Sequence, residues 1–78
     1  MTNEELFQKI AEMAAITFRA VTEDITRETT FKELGGKSLQ TVALNSMIES
    51  ELKVGVPIRE VMNMKTVGEL VDRVAQEL

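Results

Sequence analysis

Apolar residues in this chain recur at helical spacing and nowhere alternate with period two over a useful length, which restricts it to an all-α fold. Leu6, Ile10, Met13 and Thr17, flanked by Phe7, Ala14 and Phe18, keep that period, and Thr2 with Glu5 has capping-box spacing. They predict a first helix over about residues 3 to 19. Val21 to Lys37 is rich in threonine and charge without a sustained period, so it reads as a long loop anchored by Ile25, Phe31 and Leu34. A second helix should run from Ser38 to Leu52, ending before the Lys53-Val54-Gly55 break. Pro57 opens a short third helix over about residues 58 to 63, since proline is tolerated in a first turn. Thr66 with Glu69 is a second capping box, and Val67, Leu70, Val71, Val74 and Leu78 form one stripe on a fourth helix. The expected architecture is a small four-helix bundle with a long first loop and a short third helix, residues 1–78 forming a single domain.

The loop before the second helix has the length at which loops in small domains are usually functional. It closes on Gly35-Gly36-Lys37-Ser38. The glycines let the chain turn without a Cβ penalty, and serine is favoured at a helix start, where free N–H groups and the dipole attract a phosphate. Ser38 is therefore a plausible seat for a covalent phosphoester, or simply a helix cap. A nucleotide-binding P-loop fails on spacing, because the position five residues before Gly36 is Phe31 rather than glycine, and no β-branched strand feeds the loop.

What the rest of the composition removes is as useful. The 78 residues contain no Cys and no His, so thiol nucleophiles, disulfides and the commonest metal ligands are missing, and no catalytic residue or metal site is expected. Nine Lys and Arg against 13 Asp and Glu give a net charge of −4 without a basic run, which argues against nucleic acid. No apolar stretch suggests a signal peptide or a membrane span. A cytoplasmic, soluble monomer is expected.

Placed at about 100° per residue, Leu44, Ile48 and Leu52 with Thr41 alongside make the core stripe of the second helix. Leu39, Val42, Ala43 and Met47 fall on a separate arc beginning beside Ser38. One buried face should suffice for so small a bundle, so this arc is either incidental apolar surface or a docking site for enzymes that act on whatever Ser38 carries. Lys37, Leu39, Val42, Met47 and Met62 are the candidate partner-binding residues, methionine being adaptable at such surfaces. Met62 and Met64 could instead shelter an apolar chain or fill core.

With these residues in hand, the chain resembles the carrier proteins of fatty-acid, polyketide and nonribosomal peptide synthesis. The resemblance covers essentially the whole chain and is most specific at Phe31-x-Glu33-Leu34-Gly35-Gly36-x-Ser38-Leu39, followed by Val56-Pro57 and Thr66-Val67. Phe31, Glu33, Gly35-Gly36 and Ile58-Arg59-Glu60-Val61 look closer to the peptidyl or polyketide type than to the fatty-acid type. The resemblance implies that Ser38 receives 4′-phosphopantetheine from coenzyme A, attached by a Mg²⁺-dependent phosphopantetheinyl transferase. The arm's thiol would then hold an acyl or aminoacyl group as a thioester. It further implies a protein that catalyses nothing itself and serves loading, synthase, condensation or thioesterase enzymes as a swinging tether.

Two departures qualify the likeness. Lys37 stands where such carriers usually have aspartate or histidine, and Gln40 and Ala43 stand where fatty-acid carriers have acids, leaving Glu49 and Glu51. Docking should therefore be less electrostatic and more apolar than in the fatty-acid type. The reading is a freestanding phosphopantetheine-dependent carrier of a polyketide, nonribosomal or hybrid pathway. The alternatives are a fatty-acid carrier and a small helical interaction module with no prosthetic group.

Overall fold

Each helix in the computed structural model, which describes residues 1–36 and 38–78, begins and ends for a local reason. Helix α1 spans Asn3–Phe18. Its start is a reciprocal capping box, in which Thr2 Oγ1 accepts from the Glu5 N–H at 3.1 Å and Glu5 Oε1 accepts from the Thr2 N–H at 3.0 Å. Arg19 ends it in the left-handed region, at φ 57°, and donates its N–H to the Ala15 carbonyl. Leu6, Ile10, Met13 and Ala14 are buried as their spacing predicts, joined by Ala11 and Ala15.

After a single 3₁₀ turn over Thr22–Asp24, the first loop is tied to the far end of the chain. Phe31 N–H donates to the Lys65 carbonyl at 3.0 Å, Val67 N–H to Thr29 at 2.9 Å and Gly68 N–H to Arg27 at 2.8 Å. The anchors Ile25 and Phe31 are buried, Leu34 is partly so, and the Phe31 ring centroid lies 6.2 Å from that of Phe18.

Helices α2 (Ser38–Leu52), α3 (Ile58–Met62) and α4 (Val67–Ala75) follow. Among the described residues there is no strand, only the isolated bridge Thr30–Thr66. Helix α1 packs on α2 and α4, and α3 packs on α2. Leu6 and Ile10 of α1, Leu44 and Ile48 of α2, Val61 of α3, and Leu70, Val71 and Val74 of α4 share one core. The expected all-α bundle with a long first loop and a short third helix is the fold observed.

The end of α2 falls where the sequence places it, and two other local expectations change. Helix α2 is stopped by Lys53 in the left-handed region (φ 58°), its N–H on the Glu49 carbonyl at 3.0 Å, and Gly55 takes no positive φ. Leu78 does not extend the α4 stripe and is exposed. The helix ends at Ala75 and its tail tightens into i→i+3 bonds, Glu77 N–H to Val74 and Leu78 N–H to Ala75, which rotates the last side chain off the buried face. Met47 does not share the exposure of its arc, being half-buried and packed against the core.

Candidate functional site at the start of helix α2

The turn before α2 is a preformed platform. Thr30 and Glu33 repeat the capping box of α1: Glu33 Oε1 accepts from the Thr30 N–H at 2.9 Å and from its hydroxyl at 3.0 Å, while Thr30 Oγ1 accepts from the Glu33 N–H at 3.0 Å. These bonds, the backbone N–H first, hold the Glu33 carboxyl below the ordinary glutamate range. Leu34 N–H then reaches the Thr30 carbonyl, Gly35 N–H that of Lys32, and Gly36 N–H that of Phe31 at 2.8 Å. Gly35 has φ 108° and Gly36 φ 30°, and a Cβ on Gly36 would lie 3.0 Å from the Phe31 carbonyl oxygen. Only glycine suits this turn. The Thr30-x-x-Glu33 spacing was legible by the same rule that marks Thr2 and Thr66, yet within a segment lacking helical period it carries no helix and reads as loop.

Ser38 is the first residue of α2 and is exposed. A hydroxyl there faces solvent at the positive end of a 15-residue helix. Beside this turn, between the first loop, α2 and α3, lies a cleft of about 200 Å³ lined by Phe31, Lys32, Gly36, Thr41, Val61, Met62 and Met64. A phosphodiester on Ser38 would meet no buried neighbour, and an attached arm could run along this cleft, so the residues present fit a phosphopantetheine group.

The candidate partner-binding residues divide. Leu39 is 77% exposed, Val42 42% and Met62 44%. Asn45, one turn beyond Val42 on the same side, donates its Nδ2–H to the Val56 carbonyl at 3.1 Å, so Val42 faces the side of α2 that meets the 54–62 segment. Met47 lies on the opposite flank, in a groove of about 190 Å³ with Lys9, Glu12, Met13 and Ile16 of α1. Gln40 shares that flank two turns earlier and is half-buried, its Oε1 without a hydrogen-bond partner among the described residues. Its replacement of an acid therefore falls outside the exposed face, whereas Ala43 is on it. Lys37 lies outside the described residues.

No group of His, Cys, Asp or Glu among the described residues is placed to hold a metal ion, and no helix among them is long and apolar enough to cross a membrane.

Residues 8–74 match the family model described as a phosphopantetheine attachment site. The chain is 33% identical over 72 residues to an acyl carrier protein of Clostridium perfringens, covering 91% of this chain and 95% of the relative. It is 29% identical over 75 residues to an acyl carrier protein of Porphyromonas gingivalis (95% and 96% covered) and 32% over 79 residues to one of Petrotoga mobilis (100% and 93%). Proteins of this kind interact with a phosphopantetheinyl transferase and with acyl-processing enzymes, and are generally not catalysts themselves. The chain belongs to the phosphopantetheine-binding carrier family, whose members hold acyl groups as thioesters on a covalently attached 4′-phosphopantetheine.

Proposed function

We propose that Ser38 is the attachment residue and that residues 1–78 work as one cytoplasmic carrier domain in a specialised polyketide, nonribosomal or hybrid pathway. The observation that carries the assignment is the exposed residue at the first position of α2, two residues after a turn that only glycines can make and between Gly36 and Thr41, which line the cleft beside α2 and α3. The arm supplies the thiol that a chain without cysteine lacks. The protein's own part is to present that thiol. The Thr30–Glu33 box and the Gly35-Gly36 turn fix the loop that leads to the arm's start.

The pathway assignment is supported by the first-loop sequence, by Ile58-Arg59-Glu60-Val61 and by the missing acid at Ala43 on the exposed face of α2. A carrier of fatty acyl groups is the second reading, favoured by the names of the relatives, all acyl carrier proteins. Intact mass after incubation with coenzyme A, Mg²⁺ and a phosphopantetheinyl transferase tests the attachment. Wild type should gain one phosphopantetheine group and Ser38→Ala none, with melting changed by no more than about 1 kcal/mol. An adduct on the alanine variant would refute the assignment. Loading the holo-protein in parallel with fatty acyl, polyketide-extender and aminoacyl groups by their respective enzymes separates the pathways.

A further inference from the structure

A side-chain acceptor shut away from solvent without a partner is uncommon in a folded protein, and each one calls for a cause. Helix α2 has such an atom next to the cleft. Asn45 donates its Nδ2–H to the Val56 carbonyl at 3.1 Å, which fixes the orientation of the carboxamide, and its Oδ1, screened from solvent, has no hydrogen-bond partner among the described residues. Asn45 follows Thr41 by one turn on the same row of α2, and Thr41 forms the cleft wall with Val61 and Met62 of α3. The orphaned oxygen therefore lies one turn past that wall, against the segment that leads into α3. Helix α3 itself is lightly held. Of its five residues only Val61 is buried, and Pro57 gives its start no side-chain cap. Its ion pair, Glu60 to Arg73, has the glutamate side chain 47% exposed and adds little. A short element with few ties beside an unpaired acceptor opens at low cost.

We propose that Asn45 is a recognition residue for the phosphopantetheine arm, its Oδ1 accepting a hydrogen bond from a pantetheine amide N–H when the arm lies along the cleft between α2 and α3. This rests on Ser38 as the attachment residue. Ser38 and Asn45 are about 10 Å apart along the helix axis, the span of roughly three extended peptide units, which the pantetheine chain covers. The arm brings amide N–H donors, the one thing that Oδ1 lacks. A saturated acyl tail laid in the same place brings none and leaves the oxygen orphaned, so this position favours the amide-bearing arm over an alkyl chain.

The test is NMR on the unmodified protein, on the protein bearing the arm, and on that protein loaded with a saturated acyl or an aminoacyl group, with peptide mass mapping to locate the arm. Before any cargo is loaded, the arm's amide protons should show through-space contacts to the Asn45 side chain, whose Cγ and Nδ2 resonances should move from their unmodified positions. At least one arm amide should exchange with solvent about two- to tenfold more slowly than in free phosphopantetheine, the range that a net hydrogen bond gives. In arm-bearing Asn45→Leu, which keeps the volume and removes the acceptor, that exchange should return to the free value. Melting curves show whether the variant folds, and if it does not, the contacts in the wild type decide alone. Equal protection in wild type and Asn45→Leu, or an arm on Ser38 without contact to Asn45, would overturn the proposal and leave the attachment residue standing. Contacts that appear only with aminoacyl cargo would assign the donor to the cargo and overturn the arm as its source. No adduct at Ser38 would overturn the attachment reading and this inference together.

Discussion

Helices α2 and α4 face the same core from sequences of comparable apolar content and use it in opposite ways. In α4 the apolar side chains fall on one stripe, and Val67, Leu70, Val71 and Val74 are all buried, with Gly68 among them. In α2 the apolar side chains go round the whole helix, and of its 15 residues only Thr41, Leu44 and Ile48 are buried. Leu39 and Val42, which stay exposed, stand at the Ser38 end. A structural helix holds the apolar residues its core can cover, whereas α2 holds more, and the surplus lies where enzymes must reach the attachment point.

The first way to break this contrast is the largest. Leu70→Ala empties a fully buried site and should destabilise by about 2 to 5 kcal/mol, as should Leu44→Ala, while Leu39→Ala should change stability by no more than about 0.5 kcal/mol. Chemical denaturation of the three variants measures it. Equal losses for Leu39 and Leu70 would show that α2 has no surplus apolar face.

A smaller effect probes how α4 is clamped. A Cβ on Gly68 would sit 2.8 Å from the Arg27 carbonyl oxygen, the same oxygen that accepts the Gly68 N–H. Gly68→Ala must therefore push the first loop off the helix, a strain of the overpacking kind that costs about 1 to 3 kcal/mol although alanine is the better helix former. Urea midpoints for Gly68→Ala and for Gly55→Ala, where the new Cβ would meet only the Glu49 carboxylate at 3.8 Å, should differ in that order.

The two helices also differ in how well their sequences foretold them. Helix α4 was legible because cap, stripe and burial agree, and only Leu78 escaped, lost when the last turn tightened. The limits of α2 were legible too, as was the exposure of Ser38, Leu39 and Val42. What a single helix cannot reveal is how wide a sector its neighbours cover. Met47 and Gln40 sit about 80° from the middle of the core stripe, and α1 reaches that far. The Gly68–Arg27 contact was invisible for a similar reason, since close approach of backbones 41 residues apart leaves no periodic trace.

The smallest expected effect divides α2 itself. If the sector covered by α1 stops between Met47 and Ala43, then Met47→Gln should lose roughly 1 kcal/mol, about half the value of a fully buried methionine, whereas Val42→Asn should stay within about 0.5 kcal/mol. Partner turnover should respond in the reverse order. Val42 lies on the side of α2 that meets α3 and the cleft, and a docking contact of hot-spot quality is worth about 2 kcal/mol, well over tenfold in kcat/KM with a transferase. Met47, turned to the groove with Lys9 and Met13, should leave kcat/KM unchanged when melting is taken into account. Melting curves together with transferase kinetics on the two variants decide the matter. A loss of turnover for Met47→Gln equal to that for Val42→Asn would extend the docking face round to α1, and would mean that partners grip the helix from both flanks.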